Sequence, residues 1–176
     1  MDLRGVIEFF KDISKYLLVI IIVILLFIFI VGFQQVVGPS MEPILKQGDV
    51  IIINKLIYKK IKGISRNDII VLQQDEKNMI KRVVGLPGET IEYKDNFLYV
   101  NGEKYKEKFL GDEVITEDFS LKELGYDKIP KGYYLVLGDN RENSKDSRSF
   151  GLVKEKDIVG LAWIRLYPFN KIKFIK

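Results

Sequence analysis

The chain has 176 residues, with 28 Lys and Arg against 24 Asp and Glu, for a formal charge of +4. That length suits one domain plus an additional segment, and the lysines are dispersed rather than gathered into a phosphate-binding groove, so no nucleic-acid partner is expected. There is no cysteine and no histidine, which excludes disulfides, thiol nucleophiles, thiolate or imidazole metal sites and any Ser-His-Asp arrangement; no metal or cofactor is expected, and a general base has to be Asp, Glu, Lys, Tyr or a terminal amine.

Residues 1–15 mix charges with Val6, Ile7, Phe9, Phe10 and Ile13, a spacing that predicts an amphipathic helix at a membrane surface. Tyr16 to Phe33 is a run of 18 residues without a charge. As a helix it would cover about 27 Å, enough for a bilayer core with modest help at its ends. The run is longer than the apolar part of a cleaved leader, and no Ala-x-Ala follows it, so a retained anchor over 16–33 is expected. Arg4, Lys11 and Lys15 precede the span, and the next basic residue is Lys46. The positive-inside rule then puts the N-terminus in the cytoplasm and a domain of residues 36–176 on the outer side of the cell membrane.

That domain reads as mostly β. Apolar runs of strand length occupy 49–54, 68–72 and 79–84; shorter ones occupy 90–93, 97–100 and 103–105. Pro87-Gly88 favours a type II turn, and Asn101-Gly102 is a hairpin signal. The lysine-rich stretch 55–62 suggests a lysine-fringed strand or a lipid-facing edge. Ser120 and Glu123 fit a capping box, with Gly125 placed to end that turn. Strands are expected again over 133–137, 158–166 and 171–176, with a polar loop over 138–148. Many short strands divided by Gly and Pro turns predict a folded-over antiparallel sheet or partly open barrel. Roughly 140 residues can bury such a core without metal or disulfide help.

Three stretches could carry chemistry. Ser40 lies between Pro39 and Pro43 shortly after the apolar run; prolines stiffen the backbone and would present the hydroxyl, though a plain loop after an anchor has the same composition. Lys81 shares one face of an apolar strand with Met79 and Val83, while Ile80, Arg82 and Val84 share the other. Such a lysine is either a buried amine or a solvated edge residue. Burial would matter, because an unperturbed lysine is neutral only about 0.04% of the time at pH 7, and reaching a pKa of about 8 costs roughly 3 kcal/mol. The loop Gly138–Arg148 is dense in Asp, Arg, Asn and Ser and can fold into charge-assisted hydrogen bonds.

Taken together these stretches resemble the bacterial type I signal peptidases, over most of the chain and in the family's order. The serine box stands as Ser40-Met41-Glu42-Pro43-Ile44-Leu45, and the second box as Gly48-Asp49 with Lys55. The lysine box is Lys81-Arg82-Val83-Val84-Gly85-Leu86-Pro87-Gly88; the last is Gly138-Asp139-Asn140-Arg141 followed by Ser144, Asp146, Ser147 and Arg148. The resemblance implies Ser40 as nucleophile and Lys81 as general base. It also implies Ser144 orienting the Lys81 amine, Asp146 paired with Arg148, support from Asp139 and Arg141, and the Ser40 N–H in the oxyanion hole. It further implies secretory preproteins as substrates, bound as extended strands with small residues at −1 and −3. Three positions depart from the usual pattern: Ile44 stands for threonine, Pro39 is unusual, and Gly38 stands where some members carry a serine that completes the oxyanion hole. The single anchor and Gly38 resemble Gram-positive members. Two alternatives stand beside this reading: a self-cleaving protease on a related β fold, and a non-catalytic anchored β domain.

Overall fold

The structure is a computed structural model and describes residues 3–55, 63–111 and 113–175. A single helix, α1, runs Leu3–Ile30 without a break between the charged start and the apolar run. Its Glu8–Ile30 portion is long and apolar enough to cross a membrane and is not buried against the rest of the chain. The expected anchor boundary at Phe33 moves: Val31–Gln35 forms β1, paired antiparallel with β2, Val50–Asn54. Val31 and Phe33 suit either state by their side chains; pairing with an apolar partner strand decides. The lysine-rich reading over 55–62 falls, apart from Lys55, outside the described residues.

The strands that follow are β3 (Ile69–Gln74), β4 (Lys77–Gly85), β5 (Ile91–Lys94), β6 (Phe97–Val100), β7 (Glu103–Tyr105), β8 (Phe119–Ser120), β9 (Tyr133–Leu137), β10 (Val153–Lys154), β11 (Ile158–Tyr167) and β12 (Lys173–Phe174). A short helix, α2, spans Ser147–Phe150. The large sheet has the order β1-β2-β11-β3-β4-β9-β10, with β12 beside β11; a four-stranded sheet has the order β7-β6-β5-β8. Every pairing is antiparallel. The mostly β expectation holds. The strand expected over 171–176 contracts to Lys173–Phe174, because Phe169–Lys171 forms a 3-10 turn.

Local turn chemistry is as the residues dictate. Gly88 adopts φ +87° with Glu89 N–H donating to Leu86 O, and Asn101 and Gly102 both take positive φ at their hairpin. Ser120 and Glu123 form the capping box, and Gly125 ends the turn in the left-handed region.

The central strands are buried on both faces, and period two sorts their side chains into separate cores. On β3, Ile69 and Val71 join Val36, Met41, Leu45, Ile51 and Ile53, whereas Ile70 and Leu72 join Val83, Tyr134 and Val136. On β9, Leu135 and Leu137 face the small sheet through Ile91, Tyr93 and Leu98. β4 pairs with β3 over Lys77–Arg82, but β9 takes its second edge only over Arg82–Gly85. Lys77–Lys81 therefore presents an open backbone edge among the described residues. β1, an outermost strand, lies across from it, and Asn78 Nδ2 donates to Gln34 Oε1 over the gap at 2.8 Å.

Candidate active site

Ser40 sits in the turn that leaves β1. Gly38 has φ +81°, a conformation that favours glycine; a serine at that position would be strained here. The turn closes through Glu42 N–H to Pro39 O at 3.0 Å and Leu45 N–H to Met41 O at 2.8 Å. Met41 and Leu45 are buried, and Ile44 packs against the same core. A methyl-rich side chain at 44 thus serves packing. The turn is also held from outside: Asn140 N–H donates to Ser40 O at 3.1 Å, and Arg165 Nη1 to Ile44 O at 3.1 Å. Asp49 of the second box takes Lys46 N–H at 3.0 Å and faces Arg165 at 3.3 Å. Pro39 leaves the Ser40 N–H intact, and among the described residues nothing accepts from it.

Lys81 is 2% exposed, and its Nζ lies 2.8 Å from Ser40 Oγ. Burial outweighs the attraction of Asp146 and Asp139 and lowers its pKa from 10.5 to about 8, with a further lowering from Arg148. The amine is neutral often enough near neutral pH to accept a hydroxyl proton. The two side chains come from positions 41 residues apart, joined because β1 and β4 are the facing open edges of one folded sheet. A cleft of about 80 Å³ lies beside them, lined by Gln35–Val37, Ser40, Met41 and Asn78–Lys81.

The loop Gly138–Arg148 holds the Ser40 turn through Asn140 N–H. Asp146 and Arg148 pair as expected: Arg148 Nε and Nη2 reach the two carboxylate oxygens at 2.9 Å each. Asp146 also accepts Gly138 N–H at 3.1 Å and caps α2. The expected hydrogen bond from Ser144 to Lys81 is not formed. Ser144 Oγ is buried without a partner, and its side chain packs against Gly138, where an added Cβ would collide with it and with the Ser40 carbonyl.

Asp139 and Arg141 brace the loop, with partners that local sequence did not reveal. Asp139 takes a bidentate pair from Arg82 at 2.7 Å, both side chains about 1% exposed, and Arg82 Cζ stacks 3.9 Å over the Phe109 ring. Period two had already set Arg82 on the face opposite Lys81, and an arginine inside an apolar run signals a buried partner. Arg141 pairs with Glu107 at 2.6 Å and donates to Tyr93 OH and Thr116 Oγ1, each at 2.9 Å. Those three residues belong to a stretch 25 to 48 residues away, and no local pattern links them to the loop. Among the described residues no cluster could hold a metal.

Comparison with known proteins finds a matching family and several similar chains. The family described as "Signal peptidase, peptidase S26" matches residues 8–167. Signal peptidase IB of Staphylococcus aureus (strain MRSA252) is 39% identical over 181 residues, covering 93% of this chain and 94% of that one. Signal peptidase I V of Bacillus subtilis (strain 168) is 48% identical over 136 residues, covering 72% of this chain and 80% of that one. The crystal structure of a signal peptidase I from Enterococcus faecalis V583 has a TM-score of 0.53 at 39% identity and covers 58% of this chain and 98% of that one.

Proposed function

The chain belongs to the signal peptidase, peptidase S26 family, and from that premise we propose that it is a membrane-anchored serine endopeptidase that removes signal peptides from secretory preproteins. The observation that carries this reading is the 2.8 Å contact between Ser40 Oγ and the buried Lys81 amine. Neutral Lys81 takes the Ser40 proton as Oγ attacks the scissile carbonyl carbon. The developing oxyanion lies against the free Ser40 N–H. The Lys81 ammonium then protonates the leaving amine, the new N-terminus of the mature protein. Water, deprotonated by the same amine, hydrolyses the acyl-enzyme and releases the signal peptide.

Substrate binds as an added strand between β1 and the open edge of β4, with main-chain groups satisfying the exposed edges. The small cleft beside Ser40 suits short side chains at −1 and −3, which is the support for Ala-x-Ala specificity. Helix α1 anchors the enzyme with the N-terminus in the cytoplasm, by the charge bias of Arg4, Lys11 and Lys15. Exposed Trp163, Tyr167, Phe169 and Phe174 give β11, β12 and the turn between them an apolar surface of their own on the half of the sheet that carries α1.

The test is cleavage of a preprotein with an Ala-x-Ala site by the detergent-solubilised protein, beside its Ser40→Ala variant, with product masses read by mass spectrometry. A cut after the −1 residue that vanishes in the variant is the expected result. No cut by the folded wild type on two preproteins would move the reading to a non-catalytic anchored domain; cleavage of the enzyme's own chain alone would indicate self-processing.

A further inference from the structure

Arg141 is 2% exposed, touches neither Ser40 nor Lys81, and turns all three of its guanidinium nitrogens to acceptors inside the protein. Nη2 and Nη1 reach the Glu107 carboxylate at 2.6 and 3.2 Å. Nη1 also reaches Tyr93 OH and Thr116 Oγ1, each at 2.9 Å, and Nε reaches Gly138 O at 3.0 Å. The Tyr93 hydroxyl in turn donates to Glu107 Oε1 at 2.9 Å. Tyr93 belongs to β5; Glu107 and Thr116 lie on the connection from β7 to β8. The small sheet and its β7–β8 connection thus contribute three side chains to one cation of the loop beside the reacting pair.

The cation's own backbone continues the chain of contacts. Arg141 O accepts from Arg148 Nη2 at 2.6 Å, and Arg148 pairs with Asp146. Asp146 holds Gly138 N–H while Arg141 holds Gly138 O, so both polar groups of that peptide segment are fixed. Two residues on, Asn140 N–H grips the Ser40 carbonyl. Charge follows the same route. The groups that act on Lys81 are Asp146 and Asp139, which favour its ammonium, and Arg148, which opposes it. Asp139 is held independently by Arg82, and Asp146 by Gly138 N–H and the start of α2. Arg148 alone depends on Arg141 for its second acceptor.

We propose that Glu107, Tyr93 and Thr116 are positioning residues for the reaction: by clamping Arg141 they hold Arg148 against Asp146 and thereby keep Lys81 ready as a base. The proposal rests on the peptidase reading above. It assigns to the small sheet a role in chemistry that none of its residues touches. Loosening the clamp removes one of Arg148's two anchors and lets it drift while the two carboxylates stay, so the ammonium form of Lys81 gains and the amine becomes neutral at higher pH.

The experiment measures kcat and KM for an Ala-x-Ala preprotein from pH 6 to 10, using the full chain in detergent. Wild type is compared with Glu107→Gln, Glu107→Asp, Tyr93→Phe and Thr116→Val. The position of the rising limb does not depend on how much of a variant is folded, which separates positioning from simple loss of structure. The expected result is a rising limb displaced upward by a few tenths of a pH unit in Glu107→Gln, seen as a roughly twofold to threefold loss at pH 7 that fades above pH 9. KM stays close to wild type, Tyr93→Phe and Thr116→Val shift the limb less, and Glu107→Asp restores part of it. Reduced rates with the limb in its wild-type place would overturn the proposal, as would wild-type profiles throughout. If Glu107→Gln fails to fold, Tyr93→Phe and Thr116→Val decide, since each removes one neutral partner. If wild type cleaves nothing, the peptidase reading itself falls; a wild-type lysine limb with unshifted variants sinks only the clamp.

Discussion

Lys81 carries a measurable cost for its function. The folded protein releases this proton near pH 8, whereas the unfolded chain holds it to 10.5. Between those values the unfolded chain binds more protons, so stability rises with pH across that window; below pH 8 the full penalty is present, about 3 kcal/mol. Lys81→Met is therefore expected to be inactive yet about 1–3 kcal/mol more stable at pH 7, with the gain gone above pH 10.5. Urea unfolding at the two pH values checks this. Lys81→Arg is expected to abolish cleavage, because a guanidinium cannot act as a base; near wild-type turnover would remove Lys81 from the mechanism. The rate of the wild type should climb through pH 8, and a flat profile from pH 6 to 10 would contradict a lysine base. Ser144 offers a contrasting case. Its buried hydroxyl has no partner, so Ser144→Ala should not lower stability, and could raise it by up to about 1 kcal/mol. Slower cleavage by that variant would mean the hydroxyl turns toward Lys81 during the reaction.

At the scale of elements, the loop between β9 and α2 is held by many contacts. Gly138 lies where any Cβ meets Ser144 Oγ and the Ser40 carbonyl. Gly138→Ala should displace Ser40, cutting activity by orders of magnitude while secondary structure persists; circular dichroism beside the cleavage assay tests that separation. The Arg82–Asp139 pair joins β4 to the same loop inside the protein. Removing one partner leaves a buried charge unmatched, so Arg82→Met is expected to cost about 3–5 kcal/mol. Arg82→Met with Asp139→Leu should recover much of that loss in a denaturant titration. If the double variant is no better than the single one, geometry rather than charge compensation is what the pair provides.

At the scale of the whole molecule, the junction between helix and domain falls at Ile30, and β1 belongs to the domain. A truncation that begins at Val31 should keep the sheet and cleave a soluble peptide carrying Ala-x-Ala. One that begins at Val36 strips the edge strand and one wall of the cleft, and should lose activity together with several degrees of melting temperature. Equal behaviour of the two would show that β1 is dispensable and that substrate does not bind against it.

The residues alone determined a great deal. An uncharged run of nearly bilayer length, period-two burial and glycine or proline turns act locally, so α1, most strands and the capped turn at Ser120 could be read directly. The absence of His and Cys narrowed the base to a few residue types, and the boxes around Ser40, Lys81 and Gly138 pointed to a family, and through it to the proposed chemistry, by resemblance. Tertiary structure decided what depends on distant partners. Val31–Gln35 is a strand because β2 is there to pair with it. Asp139 belongs with Arg82 and Arg141 with Glu107 because a buried charge takes whichever counter-charge the packing brings within reach. The approach of Ser40 to Lys81 likewise exists only once the sheet has folded over and set two open edges face to face. Burial then lowers the lysine's pKa, an effect of desolvation that no linear pattern contains.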